Sequence, residues 1–417
     1  MIKKQFGKER RQDFTLLREN PDFIYLNSGA TSLKPDFVID ELTNLYRGIT
    51  YMGRGFDLNE GDNDNEELFF KALNKVAKHI NAEPKLVIPT YGSTDFLNKI
   101  ALSIINDLED GDEIILGDLE HASNILPWLN IAKDLNKKII FKWYKLKDWI
   151  VDYEELKKIV TDKTKVMAVT HFYNTTGARN DLAKIREVIG SEVKLVIDAA
   201  QAVGHTKVDV TEGDVDYYIF GGHKIFATHS IGMAYIKDLL NKEKPFVYGG
   251  HMQKTYDRKS IDFKPGRLKF IAGSQDVPGV ITFGKAIDYI EELDVEEIEK
   301  YNTKLQQYAM KKLKKVPKIN IINDGVKGSN IFFEIKGVAG EDIAYHLYTK
   351  GIIVRSGANC VKMKNELYSQ TKSIRVSLHF FNTKEEIDKL VKELIDGGDF
   401  INALFRKRKL SSICEET

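Results

Sequence analysis

Cysteine is scarce in this chain: two in 417 residues, Cys360 and Cys414. Two thiols cannot build a disulfide framework and are too few for a cysteine-rich zinc site. No apolar run approaches the roughly 18 residues that suggest a membrane span. The N-terminus, MIKKQFGKERRQDF, lacks the apolar stretch of a secretory signal and is too acidic and too poor in serine for a transit peptide. An excess of one charge is missing too. Lys and Arg total 62 against 61 Asp and Glu, so no global field points to nucleic acid or a membrane surface. Internal repeats and low-complexity segments are absent. A P-loop is excluded because no lysine follows the Gly92 turn, and GRGFD (53–57) lacks the third glycine and the preceding strand of a dinucleotide fingerprint. The chain therefore reads as soluble and cytoplasmic.

With 42% hydrophobic residues there is ample material for a core and for two or three structural domains. From about Lys85, short apolar runs alternate with helical patterns. The runs are LVIPT (86–90), EIILGD (113–118), KIIFKWY (138–144), KVMAVTHF (165–172), KLVIDAA (194–200), DYYIFGG (216–222) and GMAYIKD (232–238). Alternation of this kind predicts an α/β domain whose sheet is mainly parallel and covered by helices. After about Leu293 a long charged helix leads to fewer strands and a closing helix, the pattern of a smaller α+β domain.

Ligands of open α/β sheets sit beyond the carboxyl ends of the strands. Polar residues recur there: Ser93 and Thr94, His121, Asn174, Asp198 and Gln201, His223 and Lys224. Ser93 or Thr94 could cap a helix, or the same helix N-terminus could take an anion. Asp198 follows three apolar residues and needs a partner if buried. That partner is either a basic side chain or backbone group, or a cationic ring nitrogen of a cofactor. Gln201, three residues on, would share its helical face. Lysine is usually a solvated surface charge. Lys224 instead follows an apolar strand and a Gly-Gly turn, a setting in which an amine can lose its proton and bind a carbonyl covalently. A lone cysteine is most often a small buried hydrophobe, and Arg375 in a strand is as readily half of a structural ion pair.

Taken together, Asp198-x-x-Gln201 followed by Gly222-His223-Lys224 resembles the core of class V aminotransferase-like enzymes of fold type I, which use pyridoxal phosphate (PLP). Further matches run in the family's order: YLNSGATSLKP (25–35), GSTDFLNKIA (92–101), EHASNILPW (120–128), THFYNTTG (170–177), YGGHM (248–252), AGSQ (272–275), RSGANC (355–360) and SIRVSLHFFNT (373–383). The Arg355-to-Cys360 stretch is similar to that of SufS-like, group II cysteine desulfurases. The resemblance implies an N-terminal segment (1–24) packing near the small domain, a large PLP-binding domain (25–293) with a seven-stranded sheet, a small domain (294–405) with the catalytic cysteine loop, and a tail (406–417). It implies that Lys224 holds PLP covalently, Asp198 pairs with the ring nitrogen and His121 stacks on the ring. Asn174 and Gln201 would approach the ring hydroxyl, and Ser93, Thr94 and His223 the phosphate. Ser274 would reach the phosphate of the neighbouring subunit, which implies a homodimer. Arg375, with Arg355 nearby, would bind the substrate carboxylate, with Asn174 also near the substrate. The implied activity converts L-cysteine to L-alanine and leaves sulfur as a persulfide on Cys360, with His121 as a proton relay. An acceptor protein would then take the sulfur for iron–sulfur cluster assembly. Lyases acting on selenocysteine or cysteine sulfinate, an aminotransferase, and a PLP-binding scaffold of a sulfur-transfer complex are the alternatives. Two departures stand out: Gly221 replaces the serine usual before Gly-His-Lys, and Ala227-Thr228-His229-Ser230 replaces the usual Gly-Pro-Thr-Gly.

Overall fold

The structure, a computed structural model, describes residues 5–49, 64–242, 244–361 and 371–397. It divides into two compact units. One comprises residues 32–173 and 179–296, the other residues up to Thr31, Asn174–Ala178 and the chain from Glu297 onward.

The larger unit is built on a seven-stranded sheet, as the seven apolar runs predict. Its strands are β1 (Val87–Thr90), β2 (Glu113–Gly117), β3 (Ile140–Tyr144), β4 (Thr164–Thr170), β5 (Lys194–Asp198), β6 (Tyr217–Gly221) and β7 (Gly232–Ile236). Their spatial order is β1-β7-β6-β5-β4-β2-β3. The pairs among β3, β2, β4, β5 and β6 are parallel, whereas β7 runs antiparallel to both β6 and β1. All five residues of β2, β6 and β7 are buried, which explains runs without polar alternation. Gly117, last in β2, lies opposite Tyr144 of β3. A Cβ there would stand 2.0 Å from Tyr144 Cζ, so the tyrosine ring occupies the space a side chain would need. Helix α1 (Ser93–Asp107) follows β1 and buries Phe96, Leu97, Ile100, Ala101, Ile104 and Ile105, an i, i+3, i+4 stripe.

The smaller unit is α+β, again as predicted. Strands β8 (Ile319–Ile321), β9 (Asn330–Ile335), β10 (Arg355–Ser356) and β11 (Ser373–Ser377) form an antiparallel sheet in the order β8-β9-β11-β10. Helices α2 (Gly340–Thr349) and α3 (Lys384–Asp396) contribute Ile343, Leu347, Ile387 and Leu390 to its core, together with Ile331 and Val376. Thr383 and Glu386 form a capping box at the start of α3. Glu386 also accepts a bond from buried Arg11, whose Nη2 donates to the carbonyls of Pro21 (3.0 Å) and Phe23 (3.1 Å). The early chain is thus tied to the C-terminal helix of the same unit. Among the described residues no helix is long and apolar enough to cross a membrane.

Candidate active site

In the larger unit the polar residues flagged in the sequence fall, as Asp198 and Lys224 do, at or just beyond strand ends. Beyond β1, Gly92 adopts φ +100° and α1 begins at Ser93. No side chain caps the helix. Ser93 Oγ is buried without a hydrogen-bond partner, and Thr94 Oγ1 lies 2.8 Å from Ser123 Oγ. The capping role open to Ser93 and Thr94 is therefore not taken. The first-turn N–H groups and an unused hydroxyl remain, the composition of an anion site.

Beyond β2, His121 Nδ1 accepts a bond from the Ser123 amide (3.2 Å), which leaves the ring proton on Nε2. The preceding Glu120 is buried. Its Oε1 accepts from Tyr144 Oη (2.5 Å) and the Thr170 amide (2.9 Å), and its Oε2 from Asn124 Nδ2 (2.6 Å). Burial nevertheless pushes its carboxyl up to about 7. Glu120 thus ties the His121 loop to two neighbouring strands. Nothing in the sequence marks it, because an acidic residue in a loop is ordinary.

Asp198 ends β5 and is 4% exposed. Its Oδ1 accepts from the Ala200 amide (3.0 Å), and it forms no ion pair among the described residues. A buried carboxylate without a countercharge is costly. Gln201 does not lie on a helix with it, in contrast to what the spacing predicts. The chain after β5 runs through consecutive turns, with Ala202 N bonded to Ala199 O (3.0 Å). Gln201 is buried there. His223 and Lys224 occupy a short 3-10 turn (Gly222–Lys224) directly after β6. His223 is held down at about 4 by burial and by the basic groups Lys224, His229, Lys34 and His121. Ser274 is exposed, and its carbonyl accepts from Tyr91 Oη (3.2 Å).

The smaller unit holds the other group. Arg375, central in β11, is 2% exposed. Its Nη1 donates to Asn174 O (2.9 Å) and its Nη2 to Asn27 Oδ1 (3.4 Å), while Nε has no partner. No carboxylate pairs with it among the described residues, so the structural ion pair is not made. Arg355 of β10 lies directly across the ladder from it and is exposed. Burial, and then Arg355, brings Arg375 down to about 10. Gly29 admits the backbone to this guanidinium: a Cβ there would lie 3.3 Å from Arg375 Cζ and 2.7 Å from Ser377 Oγ.

Asn174 connects Arg375 to the cysteine loop. Its carbonyl takes the Arg375 bond, and its Nδ2 donates to Asn359 O (2.7 Å). Asn359 Nδ2 donates in turn to Gly357 O (2.8 Å). Gly357, Asn359 and Cys360 all have positive φ (83°, 52° and 63°), and Cys360 is exposed. Two successive non-glycine residues in the left-handed region mark a constrained loop. Sequence reasoning does not single out Asn359. Its signal is its tolerance of that region, two residues after a glycine. Cys414 lies outside the described residues.

A family model described as Aminotransferase class-V matches residues 24–390. A probable cysteine desulfurase of Ureaplasma parvum is 34% identical over 400 residues, covering 94% of this chain and 99% of the relative. A cysteine desulfurase of Wigglesworthia glossinidia brevipalpis is 31% identical, covering 94% and 98%. Among solved structures, the Escherichia coli cysteine desulfurase CsdA, with an S-sulfonic acid, superposes with a TM-score of 0.84 at 26% identity, over 94% of this chain and 98% of that one. A cysteine desulfurase of Thermococcus onnurineus shares the fold, with a TM-score of 0.86 at 24% identity over 94% and 99%. The chain belongs to the class V aminotransferase family and, within it, to the cysteine desulfurases.

Proposed function

We propose that this chain takes sulfur from L-cysteine, releases L-alanine, and carries the sulfur as a persulfide on Cys360, with PLP as cofactor. The observation that carries the reading is a buried guanidinium with no carboxylate partner among the described residues, Arg375, joined through Asn174 and Asn359 to the loop that exposes Cys360. An amino-acid carboxylate is the natural partner of such a group, because a bidentate fork suits it.

The residues present fit PLP. Asp198 is a buried carboxyl group with no basic side chain paired to it among the described residues, suited to a protonated ring nitrogen. The unpartnered Ser93 hydroxyl at an uncapped helix start suits a phosphate, with Thr94 and His223 as further ligands. Lys224 would hold the cofactor, His121 would face the ring, and Gln201 and Asn174 would serve its hydroxyl. When bound, PLP supplies an electron sink for the substrate's α-carbon. Arg375 and Arg355 would orient the substrate carboxylate, and the Lys224 amine would take the Cα proton. His121 Nε2 moves a proton near the substrate thiol. Cys360 Sγ attacks the substrate sulfur. The S–S bond forms as the Cβ–S bond breaks, and protonation of the carbon fragment gives alanine.

The setting we infer is a cytoplasmic homodimer in which Ser274 serves the neighbouring subunit's phosphate, with a sulfur-acceptor protein feeding iron–sulfur cluster assembly. The test is direct. The purified protein is incubated with L-cysteine, alanine and sulfide are quantified, and added sulfur is mapped by mass spectrometry. Equimolar alanine and sulfide with a reductant present, and +32 Da on the Cys360 peptide at about one sulfur atom, are expected. Pyruvate in place of alanine would overturn the proposal.

A further inference from the structure

The two departures from the family's pattern meet at one place in the larger unit. Gly221 leaves the end of β6 without a hydroxyl. A Cβ there would stand 3.3 Å from the unpartnered Ser93 Oγ and 3.4 Å from His223 Nδ1, so these two side chains frame the vacated position. The second departure supplies something new beside it. The His229 ring stacks on the His223 ring, with centroids 5.5 Å apart and planes within 14°. Phe226 and Ser230, on either side of that loop, have φ of 70° and 60°, a costly conformation for residues with a Cβ. The strained loop carries His229 back over His223. Lys34 Nζ donates to His223 O (3.1 Å) and Ser32 O (2.6 Å) and forms no ion pair among the described residues. Two imidazoles and an ammonium therefore gather at His223, whose ring frames the vacated position together with Ser93 at the uncapped helix start. Such a cluster is complementary to a phosphate.

We propose that His229 is an additional ligand of the cofactor phosphate, compensating for the hydroxyl that Gly221 does not provide. This rests on the PLP reading of the site. It gives the unusual Ala227-Thr228-His229-Ser230 loop a binding role, in which an imidazole becomes protonated beside the phosphate and replaces a neutral hydroxyl with a charge-assisted donor.

The experiment uses the full chain stripped of cofactor and titrates it with PLP and, separately, with pyridoxal, which lacks the phosphate. Binding is followed by quenching of intrinsic fluorescence. His229→Ala and His229→Asn are compared with the parent; the residue is exposed, and circular dichroism checks that each variant is folded. Losing one charge-assisted contact weakens PLP binding about tenfold, while pyridoxal binding stays at the parent value. Gly221→Ser introduced into His229→Ala recovers part of the loss. PLP affinity within twofold of the parent in both His229 variants would overturn the inference, as would an equal loss for pyridoxal, which places the effect on packing against His223. If the parent binds neither compound, the PLP reading itself falls.

Discussion

Arg375 offers a test in which function and stability move in opposite directions. Its guanidinium is 2% exposed, has no carboxylate partner among the described residues and keeps one N–H unused. A base whose folded pKa is depressed is destabilising in its protonated form. With Arg375 brought from 12.5 to about 10, that penalty is fully present at pH 7 and amounts to about 3 kcal/mol. Arg375→Met keeps much of the volume and removes the charge. The variant loses the Nη1 bond to Asn174 O and the longer Nη2 bond to Asn27 Oδ1, together worth about 2 kcal/mol. That carbonyl stays satisfied, because Asn330 Nδ2 also donates to it (3.0 Å). The balance favours the variant by about 1 kcal/mol, and because the melting shift of a chain this long is about 1 °C per kcal/mol, the cofactor-free protein should melt about 1 °C higher. Turnover of L-cysteine should fall at least a hundredfold. Arg375→Lys should recover little, since an ammonium cannot reproduce the planar fork. Differential scanning calorimetry at pH 7 and an alanine assay give both readings. A melting point several degrees below the parent would show that Arg375 is a structural partner, and the anion-receptor argument would fail.

Lys224→Ala should abolish turnover and the protein–cofactor bond trapped by borohydride; an adduct mapped to another lysine would refute the assignment. Cys360→Ser should retain the cofactor's visible spectrum and lose most persulfide formation, whereas Cys414→Ser should match the parent; sulfur mapped to Cys414 by mass spectrometry reverses the roles. Sedimentation should find a homodimer, and a fully active monomer would remove Ser274 from the site. Glu120 binds its proton more tightly folded, at about 7, than unfolded, near 4.5. Stability should therefore decline as pH rises from about 4.5 to 7, and urea titrations should show Glu120→Gln flattening that slope. The amide can be accommodated because buried Asn124 Oδ1 has no partner and can accept its N–H after a flip.

The larger unit's strands are legible because each is a buried apolar run between polar loops, and burial on both faces removes alternation. Strand direction is less legible. GMAYIKD has the composition of its parallel neighbours, yet β7 runs antiparallel, since direction is set by the connection and not by the strand's own residues. Gln201 shows a second limit. Spacing of three after a strand suggests a shared helical face, but the chain turns repeatedly from Ala200 to His205, which residue spacing cannot report. The left-handed backbone at Asn359 and Cys360 is equally hidden, because a cysteine in that region is unusual and the loop is held in part by tertiary bonds such as Asn174 Nδ2 to Asn359 O.

Residue types at the site can be read from sequence, but not which of them are left incomplete, and that distinction separates chemistry from architecture here. Buried Arg11 is paired with Glu386, and buried Glu113 with Lys142 at 2.7 Å. Each is neutralised within the fold and needs nothing further. Trp128 Nε1 and the Asn302 amide are buried without partners, but they are neutral and their cost is that of a lost hydrogen bond. Asp198 and Arg375 differ from both groups in being buried, ionisable and without a countercharge among the described residues; Glu120 shares this, but three hydrogen bonds occupy it and burial pushes it toward its neutral form. A fold selected for stability alone would pair or replace them. On the proposed reading, a protonated ring nitrogen neutralises one and a substrate carboxylate the other. Cofactor and substrate should then each raise the melting temperature of the parent, and each gain should vanish separately in Asp198→Asn and Arg375→Met. A thermal shift matrix of two ligands against two variants tests this. If both variants lost both responses together, the two charges would belong to one structural network and not to two separate receptors.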